Sequence, residues 1–404
     1  MRPLHILSLA VGASALQRQI SLSPTASCPW RLPPPQLACS IDELDDLSSA
    51  ILPPRPPSPP PSKWEGPHDC VNQYCIFSNP GFADGRGIVT ITTARAIEKL
   101  KAIEQTRNIV HPPNPPPYTI APIPAKGLGL LANTTLHRGT PIMRHTPAVL
   151  IHRSFLEHLP PRRQHALLDA AITQHLPLTL REAFLAQMGH FGNPHKISDI
   201  LITNSFQMDL GGDDNHHYGN FPEVSRFNHD CRPNVAFHIG ADLTHTTTAV
   251  RAVQPGEELT ISYLGMFEPR AMRQQRALQA WGFACTCSQC GLGEGPAAKS
   301  DGRLEEIARI EGAMADVASG GVTPALLRRV VRLYKEERLE ASVAGVYTLV
   351  AMNWNMLGEE GMARKYAGLA AEAAGGEGEG DAVAMRELER DPRGHFTWRR
   401  RVGG

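Results

Sequence analysis

This sequence predicts an α+β fold, on three observations. Between residues 118 and 265, short alternating apolar segments are punctuated by glycine turns, at 127–129 and at Gly256. That region is interrupted from about 152 to 212 by apolar residues at helical spacing, and beyond residue 300 helical spacing dominates to the end. A period of two marks half-buried strands, and recurrence at three and four marks one face of a helix. At 404 residues the chain can hold two or three domains and a large core. Lys plus Arg equals Asp plus Glu at 40 each, which gives no general attraction for polyphosphate, so direct nucleic-acid binding is not expected.

The elements follow in order. Residues 1–22 form a candidate signal or targeting segment: one early basic residue, an apolar run from Ile6 to Leu16 and the small residues Ala13, Ser14 and Ala15 fit a secretory signal peptide. Arg2, Arg18 and the absence of acidic residues before Asp42 also suit a mitochondrial presequence, and an unstructured tail is the plain alternative. A functional leader implies the secretory pathway; without one, nucleus or cytoplasm is expected. No apolar stretch approaches the ~20 residues of a transmembrane span. Residues 23–63, with PPRPPSPPP at 53–61, read as a Pro-rich linker, because proline at that density builds neither helix nor sheet.

Residues 64–111 form an N-terminal Cys-containing module in which Cys70 and Cys75 flank a loop. There the glycine turn at 85–87 leads into a strand over Ile88–Thr92, with a helix over Ala94–Thr106 after it. In an oxidising compartment Cys28, Cys39, Cys70 and Cys75 are disulfide candidates with three pairings. A proline cluster at 112–117 separates this module from the strand region, where two strands are expected to flank a turn at 127–129 and a second turn falls at 137–139. Helices are expected in the insert over 162–174 and 180–189. Later helices are expected over 302–318, 324–338, 341–357 and 359–374, then a flexible break at 375–381 and a basic tail at 398–401. Small residues at Ala341, Ala344, Ala363, Ala367 and Ala370 suggest close, TPR-like packing in an all-α C-terminal domain, too few helices for a full repeat array but a candidate surface for a protein partner.

Chemistry concentrates in three stretches: RFNHDCRPN at 226–234, GEELTISY at 256–263 and WGFACTCSQC at 281–290. Cys285, Cys287 and Cys290 offer three close sulfurs, and a structural tetrahedral zinc takes four ligands. Cys231 is the remaining cysteine after residue 75. Two disulfides are the competing account, but thiols at i and i+2 are poorly placed for an unstrained bridge. Taken singly, a Gly-x-Gly is an ordinary turn, Asn228 a turn residue and Tyr263 a strand tyrosine. Their order along the chain is what gives them weight.

In that order the three stretches resemble the core of a SET domain followed by its post-SET segment. The resemblance places the domain at 118–265, with the helical insert at about 152–212, the post-SET zinc segment at 281–293 and the helical C-terminal domain at 300–400. It implies a β-clip fold of short sheets and S-adenosylmethionine-dependent methylation of lysine in a protein substrate, histone or non-histone. The split domain is similar to SET and MYND proteins, although no MYND finger pattern is present, and the Cys pair with a GRG turn is similar to the leaders of certain fungal members. Implied cofactor contacts are Lys126, Gly127, Leu128, Gly129, Asn228, His229, Tyr263 and Phe283, with Tyr263 as the catalytic phenol. Implied zinc ligands are Cys231, Cys285, Cys287 and Cys290, and Tyr218 and Phe283 are candidate channel walls. Asp230 stands where the family pattern has a small hydroxyl residue. A catalytically silent scaffold, or a secreted SET-fold binding protein, is the alternative function.

Overall fold

The computed structural model describes residues 62–106, 111–211, 216–317, 320–374 and 380–401. The leader, nearly all of the Pro-rich linker, Cys28 and Cys39 lie outside the described residues. The chain is α+β, with three small sheets, a helical insert and a helical C-terminal part. In order, the elements are β1 (Cys70–Val71), β2 (Tyr74–Asn79), the single turn α1 (Phe82–Gly85), β3 (Ile88–Thr92), α2 (Ala94–Thr106), β4 (Tyr118–Ile123), β5 (Gly127–Ala132), β6 (Pro141–His145) and β7 (Val149–His152). The insert holds α3 (Arg153–His158), α4 (Pro161–Ala170), α5 (Leu178–Leu185) and α6 (Lys196–Asn204). Then come β8 (Ser205–Asp209), β9 (His216–Asn220), β10 (Asn228–His229), β11 (Val235–Ile239), β12 (His245–Ala249) and β13 (Glu258–Ile261). The helices α7 (Arg270–Trp281), α8 (Glu294–Ala315), α9 (Pro324–Glu336), α10 (Val343–Met356), α11 (Glu360–Ala373) and α12 (Gly380–Arg390) complete the chain.

Strand Ile88–Thr92 and helix Ala94–Thr106 fall where the sequence puts them, but they do not form a separate module. β3 pairs in parallel with β7 inside a six-stranded sheet ordered β1-β2-β3-β7-β9-β8. Phe77, Phe82 and Ile88 share one apolar core with Leu130, Phe221, Phe227 and Ile261. Burial of these side chains, at roughly 25 cal/mol per Å² of apolar surface, therefore welds residues 70–106 to the strand region. Cys70 and Cys75, opposite one another across the β1-β2 hairpin, are disulfide-bonded.

The glycine turn is also displaced. β4 and β5 are joined through Pro124, Ala125 and Lys126, with Ala125 at φ 61° and Gly127 at φ 79°. Residues 127–129 thus begin β5 instead of forming the turn itself. The four-stranded sheet is ordered β10-β13-β5-β4, which brings the Asn-His pair, the GEELTISY strand and Gly129 side by side. A third sheet is ordered β11-β12-β6.

In the insert, Phe155, Leu168, Ile172, Phe184 and Ile200 pack against Ile76, Val89 and Ile151 on the apolar face of the six-stranded sheet. The run expected as one helix over 162–174 is α4 continued by a π-helical turn at Ala171–His175. The C-terminal helices α8 to α12 close their own core around Leu304, Leu333, Trp354 and Ala367. Helix α12 already begins at Gly380, so the break after α11 is shorter than the glycine-rich composition suggests. The basic tail is structural: the Arg401 guanidinium donates to the Asp316 carbonyl at 2.8 Å and to the Met314 carbonyl at 3.1 Å, satisfying open acceptors at the end of α8. No helix among the described residues is long and apolar enough to cross a membrane.

Candidate active site

Strand β10 contributes only Asn228 and His229, paired in parallel with Thr260 and Ile261 of β13. Asn234 fixes this crossing. Its buried side chain donates to the Glu258 carbonyl at 2.8 Å and accepts from the Thr260 amide at 2.9 Å. The Asn228 amide donates to the Glu258 carboxylate at 2.9 Å and to the Leu128 carbonyl at 3.3 Å. Lys126 pairs with the other oxygen of Glu258 at 2.6 Å. Glycine is required at 129, since a Cβ there would lie 2.6 Å from the Asn228 amide nitrogen and 2.5 Å from Cγ1 of Ile123. Lys126, Leu128, Gly129 and Asn228 therefore meet at one place, and the side-chain oxygen of Asn228 takes no hydrogen bond from the described residues.

His229 is buried, with Nδ1 accepting from the Tyr263 amide at 3.1 Å and Nε2 at 3.3 Å from the Cys231 sulfur. Burial lowers its pKa to about 4, so the ring is neutral near pH 7. The Tyr263 phenol donates to the Phe227 carbonyl at 2.5 Å, and burial raises its pKa well above the ordinary phenol value. Trp281 lies 5.4 Å from the Tyr263 ring and Phe283 lies 5.8 Å from the His229 ring, so aromatic faces surround the phenol and the imidazole. Tyr218 is elsewhere, on β9 in the six-stranded sheet beside Gln207, and not with these rings.

The four sulfurs of Cys231, Cys285, Cys287 and Cys290 all lie within 4.8 Å of one another. Cys231 is 3.9 Å from Cys285 and 3.5 Å from Cys290, against about 3.8 Å for adjacent sulfurs at the corners of a tetrahedral zinc site with 2.3 Å bonds. Sequence reasoning missed Arg273 on α7. It is 1% exposed and faces Cys231 and Cys290; burial works against its charge, but those sulfurs raise its pKa above the ordinary guanidinium value. A buried cation needs a buried anion, and metal-bound thiolates supply one, so the donor set and its surroundings fit a zinc ion.

The Asp230 carboxylate accepts the Arg232 amide at 2.8 Å, a local turn bond that a small hydroxyl would also make. Burial pushes its pKa up to about 6. Glu257 stays near the surface, paired with Arg251, and accepts from the buried Asn234 amide at 3.3 Å.

A family model described as the SET domain matches residues 127–264, which encloses the strands and motifs above. The chain is a SET-domain protein. It is 30% identical over 229 residues to the histone-lysine N-methyltransferase set5 of Schizosaccharomyces pombe, a match covering 55% of this chain and 66% of that protein. It is 30% identical over 121 residues to the N-lysine methyltransferase SMYD2 of Homo sapiens, covering 28% of each. A SET and MYND domain-containing protein of Dictyostelium discoideum is 28% identical over 103 residues, or 24% of this chain and 30% of that one. The chain thus spans 66% of the fission-yeast relative and under a third of the other two. In this SET-domain protein the sulfurs from the 226–234 and 281–290 stretches converge, and the same convergence carries Phe283 to the Asn-His pair.

Proposed function

We propose that this SET-domain protein is an S-adenosylmethionine-dependent protein-lysine N-methyltransferase, with histone as the first substrate to try and one zinc ion held by Cys231, Cys285, Cys287 and Cys290. The observation that carries the reading is the meeting of Asn228, His229, Tyr263 and Phe283 beside the four sulfurs. Zinc there is structural, because four thiolates leave no open coordination position, and its part is to fix residues 285–290 against Cys231.

The polar groups suit the methyl donor. Asn228 offers both a donor and an acceptor, the backbone at 126–129 and the Lys126–Glu258 pair bring charge of both signs, and Phe283 offers an aromatic face for adenine. When bound, S-adenosylmethionine would supply an electrophilic methyl group for in-line displacement by a neutral lysine amine.

The protein's own contribution is alignment and exclusion of water. Tyr263, neutral and anchored to the Phe227 carbonyl, presents a fixed phenol oxygen that orients the incoming amine. The rings of Trp281 and Phe283 strip water from the lysine stem. The lysine proton leaves to solvent before attack, so no dedicated base is required. Incubating the purified protein with isotopically labelled methyl donor and either whole-cell extract or histones tests the reading. A labelled protein band that disappears with Tyr263→Phe supports it, and the absence of label from every protein overturns it.

A further inference from the structure

In the loop between α5 and α6, His190 reaches across to the post-SET segment. Gly282 ends helix α7 in the left-handed conformation at φ 66°, and a Cβ built on it would fall on the His190 imidazole, 2.5 Å from Nε2 and 2.8 Å from Nδ1. The imidazole therefore lies directly on the α-carbon between Trp281 and Phe283, the two rings that surround Tyr263 and His229.

His190 is exposed, but its backbone is pinned. Its amide donates to the Thr203 hydroxyl at 3.2 Å, and the Phe191 amide donates to the buried Asp199 carboxylate at 2.8 Å. Gly189 lets that carboxylate approach, since a Cβ at 189 would lie 2.6 Å from its carbon. Both Thr203 and Asp199 belong to α6, so a rigid helix of the insert holds the imidazole in place.

We propose that His190 is a positioning residue: through its contact with Gly282 the helical insert holds Trp281 and Phe283 over the active site. This rests on the methyltransferase reading above for its effect on donor binding, but not for the mechanical coupling itself. Zinc fixes the chain after Cys285 and helix α7 fixes it before Trp281, which leaves Gly282 and Phe283 with backbone bonds only to Leu278 at 3.0 Å and Ala277 at 3.4 Å. A side chain stacked on Gly282 from outside is what stops that short span from lifting.

The test is amide hydrogen exchange on the full zinc-containing chain without donor, followed by calorimetric titration with S-adenosylmethionine. His190→Ala is expected to speed exchange at Gly282 and Phe283 at least fivefold while zinc content and the unfolding midpoint stay unchanged, and to weaken donor binding about tenfold. His190→Phe, which keeps a flat ring on Gly282, is expected to restore both. Gly282→Ala, which drives the imidazole off and also puts a Cβ at positive φ, should match His190→Ala in exchange at Phe283 and in donor binding while lowering the unfolding midpoint. Adding His190→Ala to it should change exchange and binding little further. Unchanged exchange at 282 and 283 in His190→Ala overturns the proposal. Absence of donor binding by the wild-type chain would instead sink the methyltransferase reading, with the exchange result still deciding the coupling.

Discussion

Arg232 and Glu337 form an ion pair at 2.8 Å with side chains only 1% and 0% exposed. It joins the Asn-His-Cys motif to the C-terminal helical part across 105 residues of sequence. The guanidinium also donates to the Met266 carbonyl at 3.0 Å and the Glu337 carbonyl at 2.5 Å. The carboxylate accepts from Ser300 at 2.7 Å, Gln289 at 3.2 Å and Arg303 at 2.6 Å. Every polar atom of the pair is thus occupied, which is the condition under which a buried pair is tolerated. Because Arg232 follows Cys231 and Gln289 precedes Cys290, the helical part braces the thiol cluster from outside.

Removing one partner leaves the other charged and buried. Arg232→Ala and Glu337→Gln are each expected to cost about 3–5 kcal/mol in chemical denaturation, whereas Arg232→Met with Glu337→Leu should recover most of the loss. Single losses that simply add in the double variant would show that the pair is not coupled.

The same carboxylate sets an acid limit. Burial opposes the Glu337 charge, but Arg232, Ser300 and Arg303 outweigh it and hold its pKa below the ordinary carboxylate value. A depressed carboxylate contributes stability that is present above its unfolded pKa, about 4.3, and is lost as pH falls through the folded value. Glu223 behaves alike, its burial outweighed by Arg86 at 2.7 Å. The melting temperature should therefore fall as pH drops below about 4.3, and Glu337→Gln should flatten that fall. An unchanged acid slope in the variant would contradict this assignment.

The thiol cluster predicts one zinc per chain by elemental mass spectrometry, lost in Cys231→Ser and in Cys287→Ser. Arg273→Met should retain the metal but bind it about 10- to 100-fold more weakly in chelator competition, as expected for loss of an outer partner of metal ligands. Wild-type protein purified without metal yet fully folded over 281–290 would argue against the site.

Gly129→Ala drives a methyl group into Asn228 and Ile123. It should destabilise the protein by about 1–3 kcal/mol, as overpacking does, and weaken donor binding by moving the Asn228 amide. Gly127→Ala meets no atom within 4 Å and only the cost of its positive φ, so its effect should be smaller.

Much of this site could be read from sequence, because its residues cluster in three short stretches whose order is itself the signal. Strand Ile88–Thr92 and helix Ala94–Thr106 were readable from local periodicity. The pairing of β3 with β7 was not, since nothing local marks which distant strand completes a parallel pair. Helix α7 was hidden for another reason: its buried positions are Arg273 and Ala277, so its inward face carries a charge where periodicity looks for apolar residues. Helix α6, with Ile197, Ile200 and Leu201 at helical spacing, lies within the expected insert but outside the helices expected there, over 162–174 and 180–189. Neither Glu337 nor His190 has a local signature, because each acts on a partner distant in sequence.

The most direct measurement is calorimetric titration of S-adenosylmethionine into the zinc-containing full-length protein, alongside Asn228→Ala. The account predicts one donor site per chain, weakened at least tenfold by the substitution and lost on zinc removal. A folded, zinc-loaded wild-type chain that binds no S-adenosylmethionine would contradict it.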